Sequence, residues 1–214
     1  MTRYYPAYLD LTERRCVVIG AGVIAERKAT QLLASGADVT LVSATATDEL
    51  ERLADQRKLR WIKRDYAKGD LAGAMLAIAA TDDEDVNRQV HAEAQREKTL
   101  LNVVDVTPLC GFIAPSIIER GPVTVAISTA GTSPALARKL RELMDGGSCG
   151  CLEWADAAGV LAEVRAELRA RKATVPPEAW QQAMDDELLE MVENGQEAEA
   201  KARLLDTLLA AAKS

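Results

Sequence analysis

The sequence predicts an α/β protein: a parallel sheet wound with helices, then a small α/β region, then a helical C-terminal part. Three observations carry the prediction. Cys16-Val-Val-Ile19 runs into Gly20-Ala-Gly22 and on to Ala25, Ala29, Leu32 and Leu33 at helical spacing, which reads as strand, tight turn, helix. Apolar runs recur at residues 39–42, 75–79 and 100–104, the last two nearly continuous, as strands covered on both faces of a parallel sheet require. Beyond Gly147 only helical periodicity remains.

The turn reads G-x-G-x-x-A from Gly20 to Ala25. Gly20 permits the sharp exit from the strand, Gly22 has no side chain where a pyrophosphate would approach, and Ala25 lets the helix lie close on the sheet. The unpaired N–H groups of the helix N-terminus suit phosphate oxygens. This is the Rossmann-type pattern, and it makes Gly20, Gly22, Val23 and Ile24 the expected dinucleotide-binding residues. A doubly wound domain without a dinucleotide can build the same turn.

Ser35-Gly36-Ala37 ends the first helix and residues 38–42 form the second strand. Dinucleotide domains place an Asp or Glu near that strand's end to hold the adenosine ribose. Here Ser43 and Ala44 occupy the position, and they are the expected ribose neighbours; no arginine follows immediately to favour a 2′-phosphate. These residues by themselves leave NAD and NADP both open. A polar helix over 47–57, a strand at 59–62, a turn at 69–73 and a strand at 75–79 come next. Thr81-Asp82-Asp83 closes that strand, with Asp82 or Asp83 capping a helix over 84–98. His91, the one histidine of the chain, reads as a boundary residue of this helix. The fifth strand, 100–104, ends in Asp105. Ligands of open α/β sheets bind beyond the carboxyl ends of the strands, so Gly20, Gly22, Thr81, Asp82 and Asp105 should meet in one crevice, with Asp105 a candidate base or a turn carboxylate.

From Phe112 the pattern changes. Residues 112–122 read as strand and turn, and residues 123–128 alternate as a second strand. Thr129-Ala-Gly131-Thr132-Ser133-Pro134 is a polar loop entering a helix, with Ser133 as N-cap and Pro134 in the first turn. Arg138, Lys139 and Arg141 on that helix, with Arg120 before it, suit an anion with several carboxylates or simply a solvated helix face. Gly146-Gly147-Ser148 marks a break. Beyond it Leu161, Val164 and Leu168, then Trp180, Met184 and Leu188, then Leu204, Leu205, Leu208 and Leu209 form packing stripes. The opening Tyr4-Tyr5-Pro6-Ala7-Tyr8-Leu9 is expected to pack over the sheet edge.

Composition narrows the function. The 214 residues are 48% hydrophobic and 28% charged, and no apolar run nears the roughly 20 residues of a membrane span. The first residues lack a signal peptide's apolar centre, so a cytoplasmic protein without membrane attachment is expected. Residues 1–147 carry 19 basic and 20 acidic groups, and residues 148–214 carry 7 and 13. Neither part has the basic excess that nucleic acid demands. Cys16 reads as a small core residue. Cys149-Gly-Cys151 lacks a second pair, so no protein metal site is expected.

Taken together, Tyr5-Pro6 through Leu11, Val18 to Lys28, Ala77 to Asp83 with Val86-Asn87, Asn102-Val-Val-Asp105 and Ile127 to Ala135 resemble the precorrin-2 dehydrogenases, some of them also sirohydrochlorin ferrochelatases, which stand alone or form the N-terminal part of siroheme synthase. The resemblance implies a dinucleotide-binding domain over 1–112, a dimerisation and tetrapyrrole-binding region over 113–147, and a helical domain over 148–214. It implies a homodimer, NAD-dependent oxidation of precorrin-2 to sirohydrochlorin, and in bifunctional members insertion of Fe2+ or Co2+. Asp105 matches the family's important aspartate, and Ser128, Thr129, Gly131, Thr132, Ser133, Arg120 and Arg138 fall in its substrate region. The chain departs from the family at Ala130, where a glycine is usual, and at Thr129, where some members have serine. An NAD-binding regulatory module without catalysis is the other reading.

Overall fold

The computed structural model describes residues 3–147, 150 and 152–212; Cys149 and Cys151 lie outside the described residues. The chain divides into two units, Met1–Ala114 and Pro115–Ser214.

The first unit is a five-stranded parallel sheet in the order β3-β2-β1-β4-β5. Its strands are β1 (Arg15–Ile19), β2 (Asp38–Val42), β3 (Arg60–Ile62), β4 (Leu76–Ala79) and β5 (Leu100–Val103). The helices are α1 (Val23–Ala34), α2 (Asp48–Asp55) and α3 (Glu84–Glu97). Because strand side chains alternate, Cys16 and Val18 join Val39, Leu41, Leu76 and Ile78 beneath Ala25, Ala29 and Leu32 of α1 and Leu50 of α2. Val17 and Ile19 join Val42, Ala77, Ala79, Leu101 and Val103 beneath Val90 and Ala94 of α3. Both faces are covered, which is why the strand sequences are apolar without alternation. Asp83 is the residue that caps α3, its Oδ1 accepting the Asp85 and Val86 N–H groups at 2.9 and 3.0 Å.

The crossover from β3 to β4 contains no α-helix and is fastened by polar groups instead. Glu93 of α3, 1% exposed, accepts the Gly69 and Leu71 N–H groups at 2.9 and 3.0 Å and the Tyr66 hydroxyl. Arg64 forms a two-point ion pair with Asp70 at 2.7 and 2.6 Å, and Arg15 donates to the Asp70 and Ala72 carbonyls.

The N-terminal stretch departs from expectation. Leu11 enters the core at 7% exposure, but Tyr5 and Tyr8 are 91% and 72% exposed and do not lie over the sheet. A tyrosine is amphipathic enough to take either environment, so sequence alone did not decide it.

In the second unit, β6 (Ser116–Arg120) and β7 (Val123–Ile127) form an antiparallel ribbon. Helix α4 (Pro134–Asp145) packs on it through Ala137. The strand begins four residues later than the start of the apolar stretch at Phe112. Then α5 (Ala158–Ala170), α6 (Pro177–Ala183), α7 (Asp186–Glu193) and α8 (Glu197–Ala211) enclose a core of Val160, Val164, Leu168, Leu188, Val192, Leu204, Leu205 and Leu208. Leu161, Trp180, Met184 and Leu209 flank this core, partly buried.

Candidate functional site

The strand order reverses between β1 and β4, where crossovers leave in opposite directions and open a crevice at the carboxyl edge. Three backbone hydrogen bonds lace that edge: Gly20 N–H to Val42 O at 3.0 Å, Ala80 N–H to Ile19 O at 2.8 Å and Val104 N–H to Ala79 O at 2.9 Å. They place Ser43, Gly20, Thr81 and Asp105 just past the ends of four adjacent strands. Gly20 and Asp105 are two strand spacings apart, about 10 Å. The expected site residues of the first unit therefore share one edge.

Gly20 has φ +90°, and a Cβ there would meet the Ala80 carbonyl oxygen at 2.3 Å. Gly22, by contrast, has nothing within 4 Å of its Cβ position, so the space is open. Gly22 is the N-cap of α1 and supplies no side chain to cap it, and the first intrahelical bond is Glu26 N–H to Gly22 O. The N–H groups of Val23, Ile24 and Ala25 are thus left without intrahelical partners. Ala25 is fully buried, while Val23 and Ile24 are 77% and 43% exposed. Open space at Gly22, orphan donors and an apolar first turn fit the pyrophosphate of a dinucleotide.

Around this turn the structure adds contacts that the sequence does not show. The Thr47 hydroxyl donates to Glu26 Oε2 at 2.6 Å, and Thr47 N–H donates to the Ala21 carbonyl at 3.3 Å. Asn87 is buried, donates Nδ2–H to the Thr81 carbonyl at 3.0 Å, and holds its Oδ1 without a partner among the described residues. Glu93 carried a signal in the sequence: it lies at i+3 from Val90, in the buried stripe of α3.

Asp105 is exposed and has φ +60°, in a turn closed by Val106 N–H to Val103 O at 3.2 Å. The following loop is pinned from two sides. His91 Nδ1 lies 2.9 Å from the Leu109 carbonyl and must carry the proton there. Cys110 Sγ accepts the Val103 N–H at 3.2 Å and reaches the Val103 and Val106 carbonyls at 3.2 and 3.5 Å. Burial pushes the Cys110 thiol above its ordinary pKa. Burial, helped by the Asp38 charge, pushes Cys16 up to about 11, so it is an unreactive core thiol.

In the second unit the loop before α4 is a tight turn, with Ala130 at φ +53°, Gly131 at φ +80° and Thr132 N–H bonded to Thr129 O at 2.9 Å. The positive φ explains why glycine is the easier residue at 130. The Thr129 hydroxyl donates to the Ser133 carbonyl and accepts the Ser133 N–H, at 3.0 and 3.1 Å, so it is spent on the loop. Ser128 and Ser133 accept from Ala130 N–H and Leu136 N–H at 3.1 and 3.2 Å, which leaves both hydroxyl protons to donate elsewhere. Gly131 and Thr132 are exposed. Arg138 pairs with Glu142 at 2.8 Å, and Arg120 donates to the Asp145 carbonyl at 2.8 Å at the end of α4. Both cations thus have intrachain partners, which any anion would have to share. Among the described residues no three His, Cys, Asp or Glu side chains group as a metal site. A groove of about 640 Å³ along β3 and α2, lined by Asp38, Glu51, Trp61 and Lys63, includes none of these residues.

This arrangement defines a Rossmann-type nicotinamide-dinucleotide domain, and residues 7–116 match a family model described as putative NAD(P)-binding. Residues 120–145 match a second, the sirohaem biosynthesis protein central region. The chain belongs to the family that forms the N-terminal part of siroheme synthases. It is 35% identical over 209 residues to the siroheme synthase of Pseudoalteromonas atlantica, covering 96% of this chain and 45% of that one. It is 38% identical over 216 residues to that of Methylococcus capsulatus, covering 98% and 44%. The chain therefore spans less than half the length of these curated relatives. The solved structure of SirC, precorrin-2 dehydrogenase, superposes with a TM-score of 0.76 at 25% identity, covering 94% of this chain and all of that one.

Proposed function

We propose that this chain is an NAD-dependent precorrin-2 dehydrogenase that forms sirohydrochlorin in siroheme biosynthesis. The observation that carries the reading is the shared carboxyl edge. The open Gly22 position and the free N–H groups of α1 stand on the same edge as an exposed carboxylate, Asp105, held at positive φ. Gly20, Gly22, Val23 and Ile24 would hold the dinucleotide's phosphates and first turn, Ser43 and Ala44 its adenosine side, Thr81 and Asp82 the next strand end. When bound, the nicotinamide accepts a hydride from the substrate. Desaturation also releases a proton, which an Asp105 carboxylate oxygen would take. Residues 113–147 are read as the dimerisation and tetrapyrrole-binding region. Ser128 and Ser133 hydroxyls, the Gly131-Thr132 turn, Arg120 and Arg138 would meet the substrate's peripheral carboxylates.

Chelation of Fe2+ or Co2+ is a second proposed activity. The ion is the substrate there and would be held by the four pyrrole nitrogens, with Asp105 again available for the displaced protons. A homodimer is supported by α4, where Leu136, Leu140 and Leu143 are 50%, 39% and 42% exposed at i, i+4 and i+7. Anaerobic incubation of the protein with precorrin-2 and NAD tests the main reading: the sirohydrochlorin spectrum and NADH should rise together. Adding ferrous or cobaltous ion to purified sirohydrochlorin tests chelation separately. A dinucleotide-binding module without catalysis would leave both spectra unchanged.

A further inference from the structure

The adenosine end of the dinucleotide site lacks the acidic residue that usually terminates β2, where Ser43 stands instead. The fold supplies a carboxylate from another element. Glu26 lies in the first turns of α1, half-buried, and the hydrogen bond from the Thr47 hydroxyl at 2.6 Å ties it to the loop that follows β2. Thr47 is fixed in turn: its N–H holds the Ala21 carbonyl within the glycine turn, and its Oγ1 caps α2 by accepting the Leu50 N–H at 3.4 Å. One side chain thus stands between the glycine turn and the β2–α2 loop, the two segments that border an adenosine ribose. Among the described residues Thr47 is the side chain bonded to this carboxylate, so its second oxygen is available to accept another hydrogen bond.

The β2–α2 loop carries charge of the same sign, while on the β3 side Lys63 lies 4.1 Å over the Trp61 ring, whose N–H donates to the Ser43 carbonyl at 2.9 Å. Residues 43–51 contain Asp48, Glu49 and Glu51 and no lysine or arginine. Arg52 is engaged with Glu49 at 2.7 and 2.5 Å. Arg27 and Lys28 follow Glu26 directly, about 100° and 200° further around α1.

We infer that Glu26, positioned by Thr47, is the residue that selects NAD over NADP, its carboxylate accepting the adenosine ribose 2′-hydroxyl and repelling a 2′-phosphate. This rests on the dinucleotide site proposed above. It assigns to α1 a task that sequence patterns assign to the end of β2.

Equilibrium binding of NAD and NADP to the full chain, by titration calorimetry, tests it without any turnover. The wild type should bind NAD at least about tenfold more tightly than NADP, as one close like-charge contact implies. Glu26→Gln should narrow that ratio about tenfold or more, weakening NAD and strengthening NADP. Thr47→Val should weaken NAD several-fold, and Thr47→Ser, which keeps the hydroxyl, should restore it. If Glu26 merely braces the loop, both dinucleotides weaken in proportion and the ratio stays fixed; that result overturns the inference while leaving the cofactor site standing. Wild-type protein that binds neither dinucleotide overturns the underlying reading and this inference with it. Thermal unfolding of each variant confirms that the fold is retained, and if Glu26→Gln is unstable the NAD-to-NADP ratio of Thr47→Val decides: a ratio narrowed in Thr47→Val and restored in Thr47→Ser supports the inference, and a ratio unchanged in both overturns it.

Discussion

A methyl group on Gly20 would stand 2.3 Å from the carbonyl oxygen of Ala80, so the turns that end β1 and β4 touch backbone to backbone where the strand order reverses. The two glycines of the turn are consequently required for different reasons. Gly20→Ala forces a clash and a side chain at φ +90°, and should lower stability by about 3 kcal/mol or more, read as a fall in Tm. Gly22 has φ −80° and an open Cβ position, so Gly22→Ala should melt like the wild type but lose dinucleotide binding.

Asp105 combines a strand-end carboxylate with φ +60°. Asparagine tolerates that backbone nearly as well as aspartate, whereas alanine does not, so Asp105→Asn isolates the chemistry from the conformation. It should keep the Tm and the affinity for NAD while lowering turnover about 100-fold, the usual effect of losing a positioned acid or base. Asp105→Ala should lose about 1 kcal/mol of stability as well. Unchanged turnover in Asp105→Asn would remove the residue from the mechanism.

The helix-free crossover makes a stability prediction of its own. Glu93→Ala leaves the buried Leu71 N–H and the neighbouring Gly69 N–H without their acceptor, a loss of about 3 kcal/mol measurable by urea unfolding. Asp70 adds a pH dependence. Its burial would raise its pKa, but hydrogen bonds from Arg64 and the Ala67 N–H, with the Arg64 and Arg15 charges, outweigh this and hold it below the ordinary carboxylate range. The unfolded chain therefore binds the proton more readily. The stability this pair contributes is complete above about pH 4 and is lost as pH falls through the lower folded value. Asp70→Asn should flatten that acid limb in a plot of Tm against pH.

The exposed leucines of α4 predict the assembly state. Leu140→Glu should leave the far-UV helix signal unchanged and convert a dimer to a monomer in sedimentation; a wild type that sediments as a monomer contradicts the proposed pairing.

The doubly wound sheet was legible because burial on both faces leaves apolar runs in β1, β4 and β5, and because Gly20 and Gly22 sit between strand and helix. Ser133 as a cap of α4 was legible for the same local reason, its neighbour Pro134 being fit for a first turn. The bond between Glu26 and Thr47 was not, since it joins residues 21 apart through side chains whose meeting depends on how α1 crosses β2. Nor was the exposure of Tyr5 and Tyr8, residues whose composition suits a sheet edge. The crossover between β3 and β4 was legible only as a turn; its fastening by Glu93 depends on a helix more than 20 residues further on.

The most direct measurement is a single turnover with enzyme in excess over precorrin-2 and NAD saturating, followed simultaneously at the sirohydrochlorin and NADH bands. The account predicts one NADH per sirohydrochlorin, formed at one rate, with both signals abolished in Gly22→Ala and slowed together in Asp105→Asn. Sirohydrochlorin formed without NADH, or NADH formed at full rate by Gly22→Ala, would contradict it.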